Sequence, residues 1–328
     1  DRVNIAPLYG VQEIQKDSAG KLWLAAENGL GYLDGSDLHI VPVKEFESSI
    51  ESVHEDYEGN IWLASSRYGV LKLSKSSFGE LFSEGGIEEA VVNAVCRYEG
   101  AFYCGCDSGL VVIDEVSGKS ISNELTELLK GARIRSIMVD SKNNLWLATY
   151  SDKGLVRYGA DGAIVTFTQN KSGATSDRFR CLEELADGTI VAGTSNGINL
   201  IKGNKIVGTI TQEDGLENVQ ILCIQEKGDG SFYVGSDGAG IYIIKDGKII
   251  GHVGEAEGLS SAVVMRITPY QDGFFVVSGD SLCYMVDDKV TTLKNFPYYN
   301  NYDAIVHEEY ICILTSAGIY FMEAGPLA

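Results

Sequence analysis

The chain repeats itself. An apolar run, often holding a tryptophan, is followed by small residues and then a glycine. The best copies are Leu22-Trp23-Leu24-Ala25-Ala26 with Gly29, Ile61-Trp62-Leu63-Ala64-Ser65 with Gly69, and Leu145-Trp146-Leu147-Ala148-Thr149 with Gly154. Worn copies sit at Phe102-Tyr103-Cys104-Gly105, Ile190-Val191-Ala192-Gly193 and Phe232-Tyr233-Val234-Gly235, and fainter ones at Phe275-Val276-Val277-Ser278 and Ile311-Cys312-Ile313-Leu314. Aligned on the tryptophan position, the anchors are residues 23, 62, 103, 146, 191, 233, 276 and 312, so neighbours are 36 to 45 residues apart. A period near forty over all 328 residues specifies a repeat architecture, in which each unit buries its apolar surface against the next copy.

Within a unit the punctuation is that of a β-meander. Asn28-Gly29, Asp34-Gly35, Asp187-Gly188, Asn196-Gly197 and Asp246-Gly247 are tight-turn dipeptides, because hairpin turns need positive φ. They divide each unit into short antiparallel strands. The second strands are apolar on both sides, as in Leu22-Trp23-Leu24 and Ile61-Trp62-Leu63, so they must be covered on both faces. The next copy is the natural cover. The expected fold is therefore all-β: a single β-propeller domain over 1–328, built of four-stranded antiparallel blades. Eight anchors favour eight blades; seven is the alternative.

Several departures from the template are expected. Leu125–Lys130 reads as one helical turn inserted in the third unit, and Phe78–Phe82 as the fourth strand of the second. The last unit stops before a fourth strand, and Val3-Asn4-Ile5-Ala6 reads as a spare one. Pairing the two would close the ring and hide two strand edges.

A formal charge of -20 argues against nucleic acid or anionic lipid as partners, since both need a basic footprint. No apolar window reaches membrane-spanning length, so contact with a membrane is expected only through flanking segments outside this sequence. Asp1 is not an initiator methionine, which points to a piece of a longer protein. The seven cysteines form no CxxC pair and mostly fall in predicted strands. They read as small buried hydrophobes with free thiols, suited to a reducing compartment or an oxygen-poor exterior.

Loops leading into the innermost, first strand of each unit are where a propeller carries function. Two adjacent units share an unusual approach, Arg133-Ile134-Arg135 and Arg178-Phe179-Arg180, each thirteen residues ahead of its anchor. Four of the nine arginines thus occupy matching positions of neighbouring blades. Side chains at i and i+2 of a strand share a face, so each pair is expected to project together. Together they would form a forked receptor for carboxylate or sulfate groups. The competing reading is ion pairing with channel acids such as Glu13 and Glu51. The longest turns after the second strands, Ser66-Arg67-Tyr68 and Tyr150-Ser151-Asp152-Lys153, carry aromatics. Tyr298, Tyr299 and Tyr302 approach the eighth unit on the same predicted face. Arg67, Tyr68, Tyr150 and these three tyrosines complete the candidate ligand-binding set, since sugars are held by aromatic faces and polar forks together. His39, His54, His252 and His307 show no metal-ligand spacing, and neither a nucleophile elbow nor a phosphate loop occurs, so no catalytic residue, metal or cofactor is assigned.

Ser52-Val53-His54-Glu55-Asp56-Tyr57-Glu58-Gly59-Asn60-Ile61-Trp62-Leu63-Ala64 resembles the two-component-regulator propeller repeat. So do Ser136-Ile137-Met138-Val139-Asp140 running into Asn144-Leu145-Trp146-Leu147-Ala148-Thr149, and Gly154-Leu155-Val156-Arg157-Tyr158. The resemblance is specific in units one, two and four. It implies the extracytoplasmic sensor region of a bacterial membrane receptor, with a histidine kinase or diguanylate cyclase as output and a saccharide as the common ligand. The expected function is a non-enzymatic sensor for a small-molecule or oligosaccharide ligand. Binding would shift the geometry of the ring or its arrangement in a homodimer. The alternatives are a polysaccharide lyase or glycosidase propeller, and a protein-interaction scaffold.

Overall fold

A computed structural model describes residues 3–43, 49–74, 81–279, 281–296 and 298–328. Among them are eight antiparallel sheets, each a meander with its strands in chain order. Six sheets have four strands and two have three, the second sheet (Ser52–Leu73) and the eighth (Asn301–Glu323). Every anchor lies on the second strand of its sheet. The fold is that of β-propeller blades, eight and not seven.

The repeat phrase has a local cause. In blade four, Asp140 accepts hydrogen bonds from the Asn144 amide at 2.8 Å and from the Trp146 indole N–H at 2.8 Å. Asp17 does the same for Lys21 and Trp23, and Asp56 for Asn60 and Trp62. One carboxylate thereby closes the turn between the first two strands and fixes the ring six residues on. The glycine two places after the anchor in blades five and six is set by the next blade. A Cβ on Gly193 would lie 2.6 Å from Ile221, and one on Gly235 would lie 2.9 Å from Val264. Ile221 and Val264 are on the innermost strands of the following blades.

The chain divides into two compact units, residues 1–80 and 81–328. In the smaller, blades one and two are joined by Glu13, which accepts from the Val53 amide, and by Glu55, which accepts from the Ser18 amide and hydroxyl at 2.6 and 2.8 Å. In the larger unit six blades follow one another. Their innermost strands, Val92–Tyr98, Ile134–Val139, Phe179–Glu184, Ile221–Glu226, Val264–Tyr270 and Asn301–His307, pack side by side in chain order. Glu184 accepts from the Ser141 amide and hydroxyl, both at 2.6 Å, repeating the Ser18–Glu55 staple. The cores lie between blades: Leu145, Leu147 and Val156 pack with Tyr103 and Val112, and Phe179, Leu182 and Ile201 pack with Trp146 and Phe167.

Four expectations are answered here. The helical turn in unit three is present as Glu124–Leu128, started by a reciprocal cap between Asn123 and Thr126. Val3–Ala6 is not a strand. Asn4 folds back to accept from the Ala6 amide, Pro7 has no N–H to offer a ladder, and Ile5 and Leu8 pack on Leu24 and Leu33 of blade one. The eighth sheet has three described strands, and Val3–Ala6 supplies no strand for the expected pairing. Of the expected strand Phe78–Phe82, residues 78–80 lie outside the described residues, and Leu81–Glu84 is one helical turn stopped at Gly85-Gly86, where Gly86 has φ of 65°. Finally, Trp146 is 2% exposed but Trp62 is 38% exposed. Trp62 is held by Asp56 at 2.7 Å, with the Lys72 ammonium 5.4 Å from its ring.

Candidate ligand cleft on the innermost strands

All six innermost strands of the larger unit share an irregularity. Each slips register by one residue against its neighbour, between Val92 and Ala94, Ile134 and Ser136, Phe179 and Cys181, Ile221 and Cys223, Val264 and Arg266, and Asn301 and Asp303. The residues skipped are Asn93, Arg135, Arg180, Leu222, Met265 and Tyr302. A bulge breaks alternation and re-aims the unpaired side chain. All six skipped residues line one cleft of about 470 Å³, together with Asp303 and Leu314. The cleft is divided by chain order: two guanidiniums come from adjacent blades four and five, and two apolar side chains from blades six and seven.

The arginines do not act as two matched pairs. Arg133 is exposed and its Nε donates to Asp107 at 2.8 Å, and Asp107 also accepts from Asn93 at 2.8 Å. Arg135, two residues on, sits at the bulge and lines the cleft, which Arg133 does not. Burial first, then the like charges of Arg133 and Arg180, lower the Arg135 guanidinium's proton affinity below its ordinary value. Arg178 and Arg180 do converge: both guanidinium carbons lie 5.4 Å from the Tyr150 ring centre. Tyr150 is fixed by its own backbone, which donates to the Arg133 carbonyl at 2.7 Å and bridges to Arg178 of the next blade. Polar contact with Arg180, opposed by burial and helped by the charges of Arg180 and Arg178, holds the Tyr150 phenol below its usual range. The Nε of Arg180 is buried with no hydrogen-bond partner among the described residues. Among those residues no carboxylate forms an ion pair with Arg135, Arg178 or Arg180.

The anticipated acids are occupied elsewhere. Glu13 accepts from Val53, and Glu51 accepts from the Ser66 hydroxyl at 2.6 Å. Of the tyrosines, Tyr302 lines the cleft. Tyr298 instead stacks on Tyr320 with centres 3.9 Å apart, and Tyr299 is exposed outside the cleft lining. Arg67 and Tyr68 sit in the turn between the second and third strands of blade two, in the smaller unit. Asn93, Leu222, Met265, Asp303 and Leu314 were not anticipated. The signal was there, since Arg135, Arg180, Leu222 and Met265 all stand eleven residues ahead of their anchors.

Below the cleft, a cavity of about 100 Å³ is lined by Ser136, Cys181, Glu183, Cys223, Gln225 and Arg266. Burial pushes the Glu183 carboxyl up and raises the Cys223 thiol to about 12. All seven cysteines are free thiols in the structure. A separate groove of about 480 Å³ lies among the turns at the other ends of blades five and six. Among its charged groups Lys202 pairs with Asp187 at 2.8 Å and holds that carboxyl down near 2.

Residues 128–151 match the family described as "Two component regulator propeller". That stretch of blade four is a two-component-regulator propeller repeat. It holds the Asp140–Trp146 turn, Arg133 and Arg135, and ends one residue after Tyr150. No curated protein matches the whole chain by sequence. Among solved structures, the extracellular domain of the putative one component system BT4673 from B. thetaiotaomicron is similar with a TM-score of 0.66 at 17% identity, over 97% of this chain and 48% of that one. The extracellular domain of the putative hybrid two component system BT3049 from the same organism has a TM-score of 0.51 at 17% identity, covering 96% and 51%. PorZ, a bacterial surface component of the type-IX secretion system of Porphyromonas gingivalis, has a TM-score of 0.55 at 16% identity, covering 97% and 53%. The chain spans about half the length of each. At these identities the likeness establishes the propeller-repeat fold. No helix among the described residues is long and apolar enough to cross a membrane.

Proposed function

We propose that the chain is the ligand-sensing part of an extracytoplasmic bacterial receptor, and that it takes a small saccharide or other polar ligand in the cleft on its innermost strands. The observation that carries this reading is the common origin of the lining. Six bulges, one on each innermost strand of the larger unit, send six side chains into one space. A ligand held there touches every blade of the larger unit at once, so its binding energy favours one arrangement of those blades over others. That is the physical requirement of a sensor. The sensor region of the proposed receptor would pass this change to segments beyond the present chain, through its own geometry or through a homodimer. Two solved structures of similar fold are extracellular domains of putative one- or two-component systems, which supports the assignment.

The test is a thermal-unfolding screen of wild type and Tyr302→Ala against a panel of mono- and disaccharides and their acids. The expected result is at least one compound that raises the wild-type midpoint and does so less in the variant. Silence across the panel would favour a protein-interaction scaffold, and release of new reducing ends from a polysaccharide would favour an enzyme.

A further inference from the structure

The division of the cleft says more about what fills it. We infer that its ligand is an amphipathic anion: a carboxylate or sulfate held between Arg135 and Arg180, with a ring or other apolar-faced body laid on Leu222, Met265 and Tyr302. This rests on reading the cleft as the ligand site and names the chemistry of what enters it.

Three observations carry the anionic half. The two guanidiniums are neighbours, from equivalent bulges of adjacent blades, so both forks address the same space. The nearby carboxylates are already engaged, Asp107 by Arg133 and Asn93, and Asp303 by Arg266 at 3.1 Å. The chain nevertheless has 46 acidic residues against 26 basic ones, and supplies neither cleft arginine with a counter-ion among the described residues. Arg180 also keeps a buried Nε–H with no acceptor. An unmet donor on a half-buried cation is costly, and an oxyanion from solution satisfies donor and charge together. Tyr150 keeps the Arg180 guanidinium in place by lying against it, so little ordering remains to be done on binding.

The apolar half follows from the opposite wall. Leu222 and Met265 occupy the same bulge position in blades six and seven that arginine occupies in blades four and five. With Leu314 and the Tyr302 ring they give a surface that a bare inorganic anion would leave wet. A ring acid covers it; acetate or free sulfate does not. A uronic acid and an aromatic acid share this chemistry.

Thermal unfolding of the whole chain, at ionic strength held constant with sodium chloride, separates these cases. The compounds are galacturonate, galactose, benzoate, acetate and sulfate. At about ten times Kd, a ring acid should raise the midpoint by about 2 °C. Galacturonate should bind at least about tenfold tighter than galactose, as expected for one charge-assisted contact, and benzoate about tenfold tighter than acetate, as expected for burial of its ring. Arg135→Gln and Arg180→Gln should each weaken the acid about tenfold or more. Arg97→Gln, which removes the same charge from a distant pair with Glu115, should leave it unchanged. Near-UV circular dichroism checks that the variants fold, and Arg135→Gln carries the test if Arg180→Gln does not. The inference is overturned if no acid stabilises beyond the chloride control, or if stabilisation survives both arginine substitutions. It is also overturned if sulfate and acetate bind as well as the ring acids. A neutral sugar that stabilises through Tyr302 while every acid fails would overturn it too, and would leave the sensor reading intact.

Discussion

Asp140 shows how much one side chain settles in this fold. It is 8% exposed and accepts from four donors: the Lys142 amide, the Asn144 amide, the Asn144 side chain and the Trp146 indole. Burial alone would raise its carboxyl; the bonds from Trp146 and Asn144 override that and hold it below the ordinary carboxylate value. A carboxyl whose folded value is lowered stabilises above the unfolded value of about 4 and loses that contribution as pH falls through the folded one. Asp140→Ala should therefore cost about 1–3 kcal/mol at neutral pH, because the buried indole N–H is left without an acceptor. The deficit should shrink in urea titrations below about pH 4, where the wild type loses the same interaction. Trp62 makes a second test at this scale. It is the most exposed of the three tryptophans, with Trp23 half-buried and Trp146 buried, so acrylamide should quench it preferentially, and Trp62→Phe should remove the most readily quenched component of the emission. The Asp-to-Trp spacing of six is plain in the sequence. That the carboxylate would hold the indole was not, since sequence places residues along a strand and not the rotamers that bring them together.

At the scale of the element, blade contacts impose the glycine two places after an anchor. Gly235 faces the Cys223 thiol, and an added Cβ would come within 2.5 Å of that sulfur and 2.9 Å of the Val264 carbonyl. Gly235→Ala should destabilise by about 1–3 kcal/mol, since the neighbour on one side is backbone and cannot yield. Its midpoint in urea should fall with the slope unchanged. The Ser141–Glu184 staple makes a companion case: Glu184→Ala removes an acceptor from one amide and one hydroxyl, and should loosen blade four from blade five. Faster hydrogen exchange at Ser141 and its neighbours, with distant blades unaffected, would be its signature. Strand order, turn positions and the inserted helical turn were legible because hairpin dipeptides and apolar periodicity are local. The bulges were not. A one-residue slip depends on how the inner strand of one blade fits the next, and it sent Arg133 to Asp107 and Arg135 to the cleft where plain alternation would keep them together.

At the scale of the molecule, two compact units differ in how completely they cover their anchors. In the larger unit Tyr103, Trp146, Val191, Tyr233 and Val276 are buried and Cys312 is half-buried, whereas in the smaller unit Trp23 is half-buried and Trp62 exposed. Amide exchange should accordingly be faster across residues 11–73 than across 134–286, a difference readable peptide by peptide in the intact chain.

The sequence by itself carried the repeat, most of its strands and the turns between them, and favoured eight blades. Those features rest on contacts within about forty residues, and the repeat prints them eight times. Tertiary structure alone decided which side chains share the cleft. Asn93 and Tyr302 are more than two hundred residues apart in the chain and meet only because six innermost strands pack side by side, each with a bulge at the same place. The N-terminal stretch was decided in the same way. Its apolar residues permitted a strand, but Leu8 had a site to fill on blade one, and Pro7 had no amide for a ladder.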